Sequence, residues 1–117
     1  MAVKVYGLKN CDTCRKARKW LDADGVEHSF HDVRADGLTA DELDAWVKAL
    51  GWEALLNRRG TTWRGLPEDV KEGVNEAKAT ALMLEHPGLI KRPVFDLGGD
   101  YVLGFTAKQQ DELKSKL

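Results

Sequence analysis

Two cysteines, Cys11 and Cys14, stand three residues apart and are the only cysteines among the 117 residues of the chain. They follow a short apolar segment at residues 4–8, which predicts a β-strand, and a turn at residues 9–10. A segment with helical spacing of its apolar residues begins at the cysteines and ends near Gly25, since glycine suits a helix C-terminus. The pair therefore lies where a strand turns into a helix, which predicts two thiols at a helix N-terminus.

The rest of the chain continues to alternate strands and helices. A second strand is predicted over residues 26–33, and the capping box of Thr39 and Glu42 predicts a helix that ends at Gly51. The later predicted elements are short helical turns at residues 53–57 and from Pro67, a helix capped by Asn75 that ends at Pro87-Gly88, strands at residues 93–97 and 101–105 around a glycine-rich turn, and a final helix opened by Thr106 and Gln109.

This order of β-α-β, then helices, then β-β-α predicts an α/β protein. The crossover of the βαβ unit makes its two strands parallel. A two-cysteine motif after the first strand of such a unit is typical of the thioredoxin-like fold. We therefore expect residues 1–117 to form a single thioredoxin-like domain, with an all-helical insertion between its two halves at approximately residues 38–88.

The composition excludes several classes of function. The chain carries 18 Lys and Arg against 19 Asp and Glu, for a net charge of -1, whereas a general nucleic-acid binder usually carries a basic excess. No apolar run reaches the roughly 18 residues that a membrane span needs. The first residues lack the basic and apolar regions of a signal peptide, so we expect a cytoplasmic location with no membrane or direct nucleic-acid partner. Structural disulfides are rare in the cytosol, so the cysteine pair needs another explanation.

Three interpretations of the cysteine pair give it no redox role. The thiols could be buried apolar groups, but the turn before the helix is an exposed position for Cys11. Zinc binding would need His28 and His31, whose odd separation along a strand places them on opposite faces, so no metal is expected. A nucleic-acid patch at residues 15–19 lacks interleaved aromatic side chains.

The remaining interpretation is thiol chemistry. The thiolate is the nucleophile in disulfide exchange, and the N–H groups and positive potential of a helix N-terminus stabilise it at Cys11. Arg15 and Lys16 add positive charge within the next turns. Cys14 lies one turn into the helix, close enough to attack a mixed disulfide formed on Cys11.

Arg92 and Pro93 stand at the start of the third predicted strand. A cis-proline there shapes the backbone next to the thiols, and an ordinary edge-strand proline is the alternative. Arg92 can pair in bidentate fashion with an oxyanion or a glutathione carboxylate, and a surface arginine is the alternative.

Six ordered motifs connect these features. They are YGLKNCDT at residues 6–13, RKARKWL at 15–21, GWEALLN at 51–57, RGTTWR at 59–64, KRP at 91–93 and LGF at 103–105. Together they resemble the arsenate reductase (ArsC)/Spx family, and most closely its YffB-like branch, over essentially the whole chain. The resemblance implies a thioredoxin-like fold with a helical insertion, a nucleophilic Cys11, a cis-proline at Pro93 and a substrate-facing Arg92.

Departures from the family pattern bear on the branch. Arsenate reductases of this family place three arginines around the oxyanion, and only Arg92 matches, because Asn57 and Gly104 stand at the other two positions. Cys14, by contrast, matches the CxxC motif of Spx-type regulators. That resemblance implies the RNA polymerase α C-terminal domain as the partner if the chain is a regulator.

We therefore expect a cytosolic thiol-disulfide oxidoreductase with no bound cofactor and with glutathione as its co-substrate. Cys11 attacks, Cys14 resolves the mixed disulfide, and Arg92 holds an anionic part of the substrate or stabilises the thiolate. Asn10, Lys9 and Pro93 line the substrate site. The alternatives are an arsenate reductase coupled to glutathione and glutaredoxin, and an Spx-like redox-sensing regulator.

Overall fold

The computed structural model describes residues 3–117 in two compact units, residues 3–37 with 92–117 and residues 38–91. The first unit contains β1 (Val3–Gly7), α1 (Asp12–Ala23), β2 (His28–Asp32), β3 (Val94–Asp96), β4 (Tyr101–Leu103) and α7 (Ala107–Lys116). The second contains α2 (Ala40–Leu50), α3 (Trp52–Leu55), α4 (Thr61–Arg64), α5 (Glu68–Lys71), α6 (Glu76–Glu85) and a 3₁₀ helix (Pro87–Leu89). The predicted single-domain organisation remains a prediction.

The first unit is built on a four-stranded sheet with the strand order β2-β1-β3-β4. Strand β1 pairs in parallel with β2, placing Val5 opposite Phe30, and antiparallel with β3, placing Val5 opposite Phe95. Strands β3 and β4 form an antiparallel hairpin in which Phe95 faces Val102. The predicted parallel βαβ unit and β-β-α unit are both confirmed, and together they form a thioredoxin-like fold.

The core of the first unit fixes α1 against this sheet. Helix α1 buries Cys14, Ala17 and Leu21, which recur on one helix face. The apolar cluster that receives this face comprises Val3, Val5, Ala17, Leu21, Phe95, Leu97, Val102 and Leu113. Fully burying a leucine or phenylalanine side chain stabilises a fold by about 1.5–3 kcal/mol. The N-terminus of α1, where the cysteines lie, is therefore set by the packing of the rest of the helix.

The second unit is helical except for one backbone bridge. Thr39 and Glu42 form the predicted capping box at the start of α2, and Asn75 caps α6 by accepting the Lys78 N–H at 2.9 Å. The bridge pairs Leu56 with Ile90. The local sequence signals at these helix starts are thus confirmed.

Three details differ from the sequence prediction. Strands β2, β3 and β4 are shorter than expected, and β4 ends at Leu103 because Gly104 adopts a φ of 91°, outside the extended region. Helix α4 was not predicted, since Thr61 and Thr62 are β-branched and favour other conformations. Pro67 caps α5 with extended backbone rather than forming its first residue. Across residues 3–117, every helix is too short or too polar to cross a membrane.

Candidate active site: the N-terminus of helix α1

Cys11 occupies the N-cap position of α1. Its backbone is extended, with φ -100° and ψ 120°, and its carbonyl accepts the Arg15 N–H at 3.0 Å. Its own N–H donates to the Leu8 carbonyl at 3.2 Å, which closes the turn between β1 and α1. Cys11 is partly exposed, and its sulfur belongs to a free thiol. A reactive group at this position is accessible and lies at the positive end of the helix.

Cys14 lies one turn into α1 and is buried, with 1% of its surface exposed. Its sulfur packs against the backbone of Gly7 at the end of β1. A Cβ added to Gly7 would lie 2.5 Å from the Cys14 Sγ, which is closer than atoms tolerate. The absence of a side chain at Gly7 therefore makes room for the second thiol.

The two thiols differ strongly in their tendency to ionise. Burial alone would raise the pKa of Cys11, but the Cys14 N–H, the Cys14 thiol and the Arg92 guanidinium together lower it below its usual value. The pKa of Cys14 is raised to about 12, mainly by burial and also by the adjacent Cys11, while a main-chain hydrogen bond from Leu8 opposes the rise. Cys11 therefore ionises first, while Cys14 stays protonated near neutral pH.

Arg92 supplies the positive charge at Cys11. It lies half-buried at the start of the segment that leads into β3, within hydrogen-bonding reach of the Cys11 thiol. The Arg92–Pro93 peptide bond is cis, and the Pro93 carbonyl accepts the Gly104 N–H at 2.9 Å. The structure thus brings Cys11, Cys14 and Arg92 together from segments that are far apart in the sequence.

Two basic residues of α1, Arg15 and Arg18, have partners of their own. Arg15 forms an ion pair with Asp12 at the surface, and Arg18 stacks over the Phe30 ring at 4.4 Å from its centroid. The charge that lowers the pKa of Cys11 comes instead from Arg92. This contribution depends on the fold and is absent from the local sequence pattern.

Lys9 and Asn10 lie exposed in the turn between β1 and Cys11. The Lys9 N–H donates to the Asp32 carboxylate at 2.9 Å, which joins this turn to the end of β2. That both residues line the substrate site stays a prediction.

Sequence reasoning missed Asp32. This carboxylate is buried at 5% exposure and accepts three backbone N–H groups, those of Lys9, Arg34 and Ala35, at 2.8–2.9 Å. Burial would raise the pKa of Asp32, but these hydrogen bonds and the Lys9 charge lower it below its usual value. An aspartate directly after an apolar strand is a turn signal, yet it does not reveal its partner Lys9.

Asn57 and Gly104, the two positions at which the sequence departs from the resemblance, make contacts of their own. The Asn57 carboxamide oxygen accepts the Arg59 N–H at 3.0 Å and shapes a turn. Gly104 has a φ of 91° and lies beside the Gln109 side chain, so an arginine there would adopt a strained backbone. Neither position supplies a guanidinium.

A basic recess of about 420 Å³ lies around Asn57 in the second unit, lined by Glu53, Leu56, Asn57, Arg58, Arg59 and Lys91. The Arg58 guanidinium stacks on the rings of Trp52 and Trp63, at 5.7 and 5.8 Å from their centroids. Arg58 is therefore oriented by aromatic contacts within its own unit.

A thiol pair at a helix N-terminus, an adjacent arginine and a cis-proline define the class, a thioredoxin-like thiol protein. The chain belongs to the ArsC family, whose model matches residues 6–113. It therefore has the oxidoreductase fold of that family.

Two sequence relatives support this assignment. An uncharacterised protein of Haemophilus influenzae is 44% identical over 107 residues, covering 92% of this chain and 94% of its own length. The global transcriptional regulator Spx 2 of Bacillus anthracis is 27% identical over 95 residues, covering 79% of this chain and 71% of its own.

Two solved structures are similar over nearly the whole chain. The YffB protein superposes with a TM-score of 0.90 at 43% identity, covering 98% of this chain and 99% of its own. An arsenate reductase (ArsC) related protein from Brucella melitensis gives 0.79 at 48% identity, covering 96% and 93%. The predicted membership of the ArsC/Spx family and the predicted similarity to YffB are confirmed.

Proposed function

We propose that this protein is a cytoplasmic thiol-disulfide oxidoreductase that reduces a disulfide substrate and is regenerated by glutathione. The observation that carries the proposal is the opposite displacement of the two thiol pKa values, with Cys11 lowered and Cys14 raised to about 12. A redox pair needs one thiol that attacks and a second that waits protonated until the first has reacted.

The first step is attack by the Cys11 thiolate on one sulfur of the substrate disulfide. A new S–S bond forms, the substrate bond breaks, and the leaving thiolate takes a proton from solvent. Cys11 then carries no negative charge, so the contribution of Cys11 that raised the pKa of Cys14 disappears.

In the second step Cys14 releases its proton to solvent, and its thiolate attacks the Cys11 sulfur. The Cys11–Cys14 disulfide forms and the second substrate thiol leaves, so the substrate gains two electrons and the protein loses two. Two molecules of glutathione return those electrons by the same exchange and leave as glutathione disulfide. Arg92 stabilises the Cys11 thiolate and pairs with a glutathione carboxylate, as a guanidinium fork suits a planar carboxylate.

Trapping tests the sequence of steps. Replacing Cys14 with Ser removes the resolving thiol, so incubation with glutathione disulfide should accumulate a stable glutathione adduct on Cys11, detected by intact mass. The wild type should pass through this adduct to an internal disulfide. An adduct that fails to accumulate on the variant would refute the resolving role of Cys14.

Arsenate reduction is the second candidate, favoured by the similarity to the arsenate reductase related protein of Brucella melitensis. Of the three arginines expected around the arsenate oxyanion, only Arg92 is present, because Asn57 and Gly104 occupy the other two positions. We therefore expect weak turnover of arsenate. Glutathione- and glutaredoxin-coupled arsenate reduction that rivals disulfide reduction in rate would favour this candidate.

A redox-sensing regulator is the third candidate, favoured by the similarity to Spx 2. In that case the Cys11–Cys14 disulfide acts as a switch. Binding of the RNA polymerase α C-terminal domain to only one redox state would favour it, and equal absence of binding in both states would exclude it.

A further inference from the structure

Asp32 is a buried carboxylate that the proposed thiol steps do not use. It lies at the end of β2, 23 residues from Lys9, and its two oxygens have separate partners. Oδ1 accepts the Arg34 and Ala35 N–H groups and so closes the turn after β2. Oδ2 accepts the Lys9 N–H, which belongs to the turn that ends at Cys11.

A backbone hydrogen bond lies on each side of Lys9 in the turn before Cys11. The Gly7 carbonyl accepts the Val33 N–H at 2.9 Å, and the Leu8 carbonyl accepts the Cys11 N–H at 3.2 Å. Lys9 therefore lies between two backbone hydrogen bonds, and its own N–H is held by Asp32 rather than by backbone. A side chain at the end of another strand thus holds this turn in place through the Lys9 N–H.

We propose that Asp32 is a positioning residue for Cys11, holding the turn at residues 8–10 so that the Cys11 sulfur keeps its place between the Cys14 N–H and Arg92. This inference rests on the proposed thiol function and assigns a role to a residue outside the reacting groups. Asp32 acts through Lys9 and does not touch the substrate.

The direction in which the pKa of Cys11 changes distinguishes a positioning role of Asp32 from a purely electrostatic effect of its negative charge. Removing a negative charge anywhere near a thiol favours the thiolate and lowers its pKa. Loosening the turn weakens the hydrogen bonds from Cys14 and Arg92 that now lower the pKa of Cys11, so it raises that pKa. The charged groups around Asp32 and Cys11 are Lys9, Asp36 and Arg92, and each is retained in an Asp32 variant. Cys14, the other titratable neighbour of Cys11, is replaced in both the variant and its reference protein, so it contributes nothing to the difference between them.

The test is the pH profile of Cys11 alkylation in Asp32→Asn, measured on a Cys14→Ser background so that one thiol reacts. We expect the apparent pKa of Cys11 to rise by about one unit, which is about a tenfold loss of thiolate at pH below that pKa. The matched control is Asp96→Asn, because the Asp96 carboxylate also accepts two loop N–H groups, those of Gly98 and Gly99, in the same unit. The control should leave the profile unchanged.

An unchanged or lowered pKa of Cys11 in folded Asp32→Asn overturns the proposal, as does an equal rise in the control. If Asp32→Asn fails to fold, hydrogen exchange of the wild-type protein decides instead. The Lys9 amide should then be protected, and exchange at the rate of an open loop overturns the role. An ordinary thiol pKa for Cys11 in the parent protein would instead refute the proposed function, which is a separate outcome.

Discussion

Helices α1 and α2 begin in opposite ways. At α2, the Thr39 hydroxyl accepts the Glu42 N–H and the Glu42 carboxylate accepts the Thr39 N–H, both at 3.1 Å. At α1, Cys11 holds the same N-cap position with a thiol, a weaker hydrogen-bond acceptor than a hydroxyl, in place of the capping side chain. The N–H of Cys14, three residues on, remains to stabilise the Cys11 thiolate. The N-cap of α2 stabilises the fold, whereas the N-cap of α1 lowers a thiol pKa.

Converting the α1 start into an ordinary capped start should have the largest effect. Cys11→Ser removes the nucleophile and should abolish disulfide exchange. Serine is a preferred N-cap, so the same change should raise the free energy of unfolding by about 1 kcal/mol. Denaturant unfolding and an exchange assay check both parts, with Cys14→Ser as the matched variant that keeps the first attack. A loss of stability in Cys11→Ser would contradict the comparison.

The second thiol is set by the space at Gly7. Gly7→Ala places a Cβ 2.5 Å from the Cys14 sulfur, so the buried side chain must move. We expect a loss of about 1–3 kcal/mol in the free energy of unfolding, the usual cost of overpacking.

The double variant Gly7→Ala with Cys14→Ala is the control, because the new Cβ lies 3.4 Å from the Cys14 Cβ, which an alanine retains. It should be less destabilised than the sum of the two single variants. If the losses in the free energy of unfolding simply added, the contact between the new Cβ and the Cys14 sulfur would not be the cause of the destabilisation.

Arg92 should lower the pKa of Cys11 more than the basic residues of α1 do. Arg92→Gln removes the guanidinium that lowers the pKa of Cys11, so that pKa should rise by about one unit, a change of about 1.4 kcal/mol. Iodoacetamide reaction rates across pH measure it. Arg15→Gln removes an equal charge already paired with Asp12 and should leave the profile as it is. Equal shifts in both variants would show that the pKa of Cys11 responds to nearby positive charge in general and not to the contact with Arg92.

The smallest change concerns the capped helix. Thr39→Ala should lower the free energy of unfolding by about 1 kcal/mol through loss of the α2 capping box, with no change in the pKa of Cys11. Thermal unfolding and the alkylation profile test this. An altered Cys11 profile would mean that the two helix starts are not independent.

Local features of the fold could be predicted from the sequence. The capping boxes, the glycine at the end of α1 and the alternation of strands and helices all follow from residues within four positions of each other. These signals gave the βαβ and ββα units in the right order.

Long-range features of the site could not be predicted in this way. The bond from Lys9 to Asp32 spans 23 residues, and the contact of Gly7 with Cys14 depends on how α1 packs on β1. Arg15 and Arg92 look equally suitable as cations in the sequence. Arg15 pairs with Asp12 three residues away, which is a local contact, whereas only the tertiary structure brings Arg92 to Cys11.

The central claim is that the two thiols of one motif have widely separated pKa values. Alkylation of both cysteines across a range of pH tests it most directly. Mass spectrometry after brief iodoacetamide treatment assigns the reacted fraction to each cysteine. We predict that Cys11 reacts with a midpoint below the ordinary thiol value of 9.0 and that Cys14 stays unreactive until the pH approaches about 12. A Cys11 midpoint at or above 9.0, or reaction of Cys14 first, would contradict the assignment of attacking and resolving thiols.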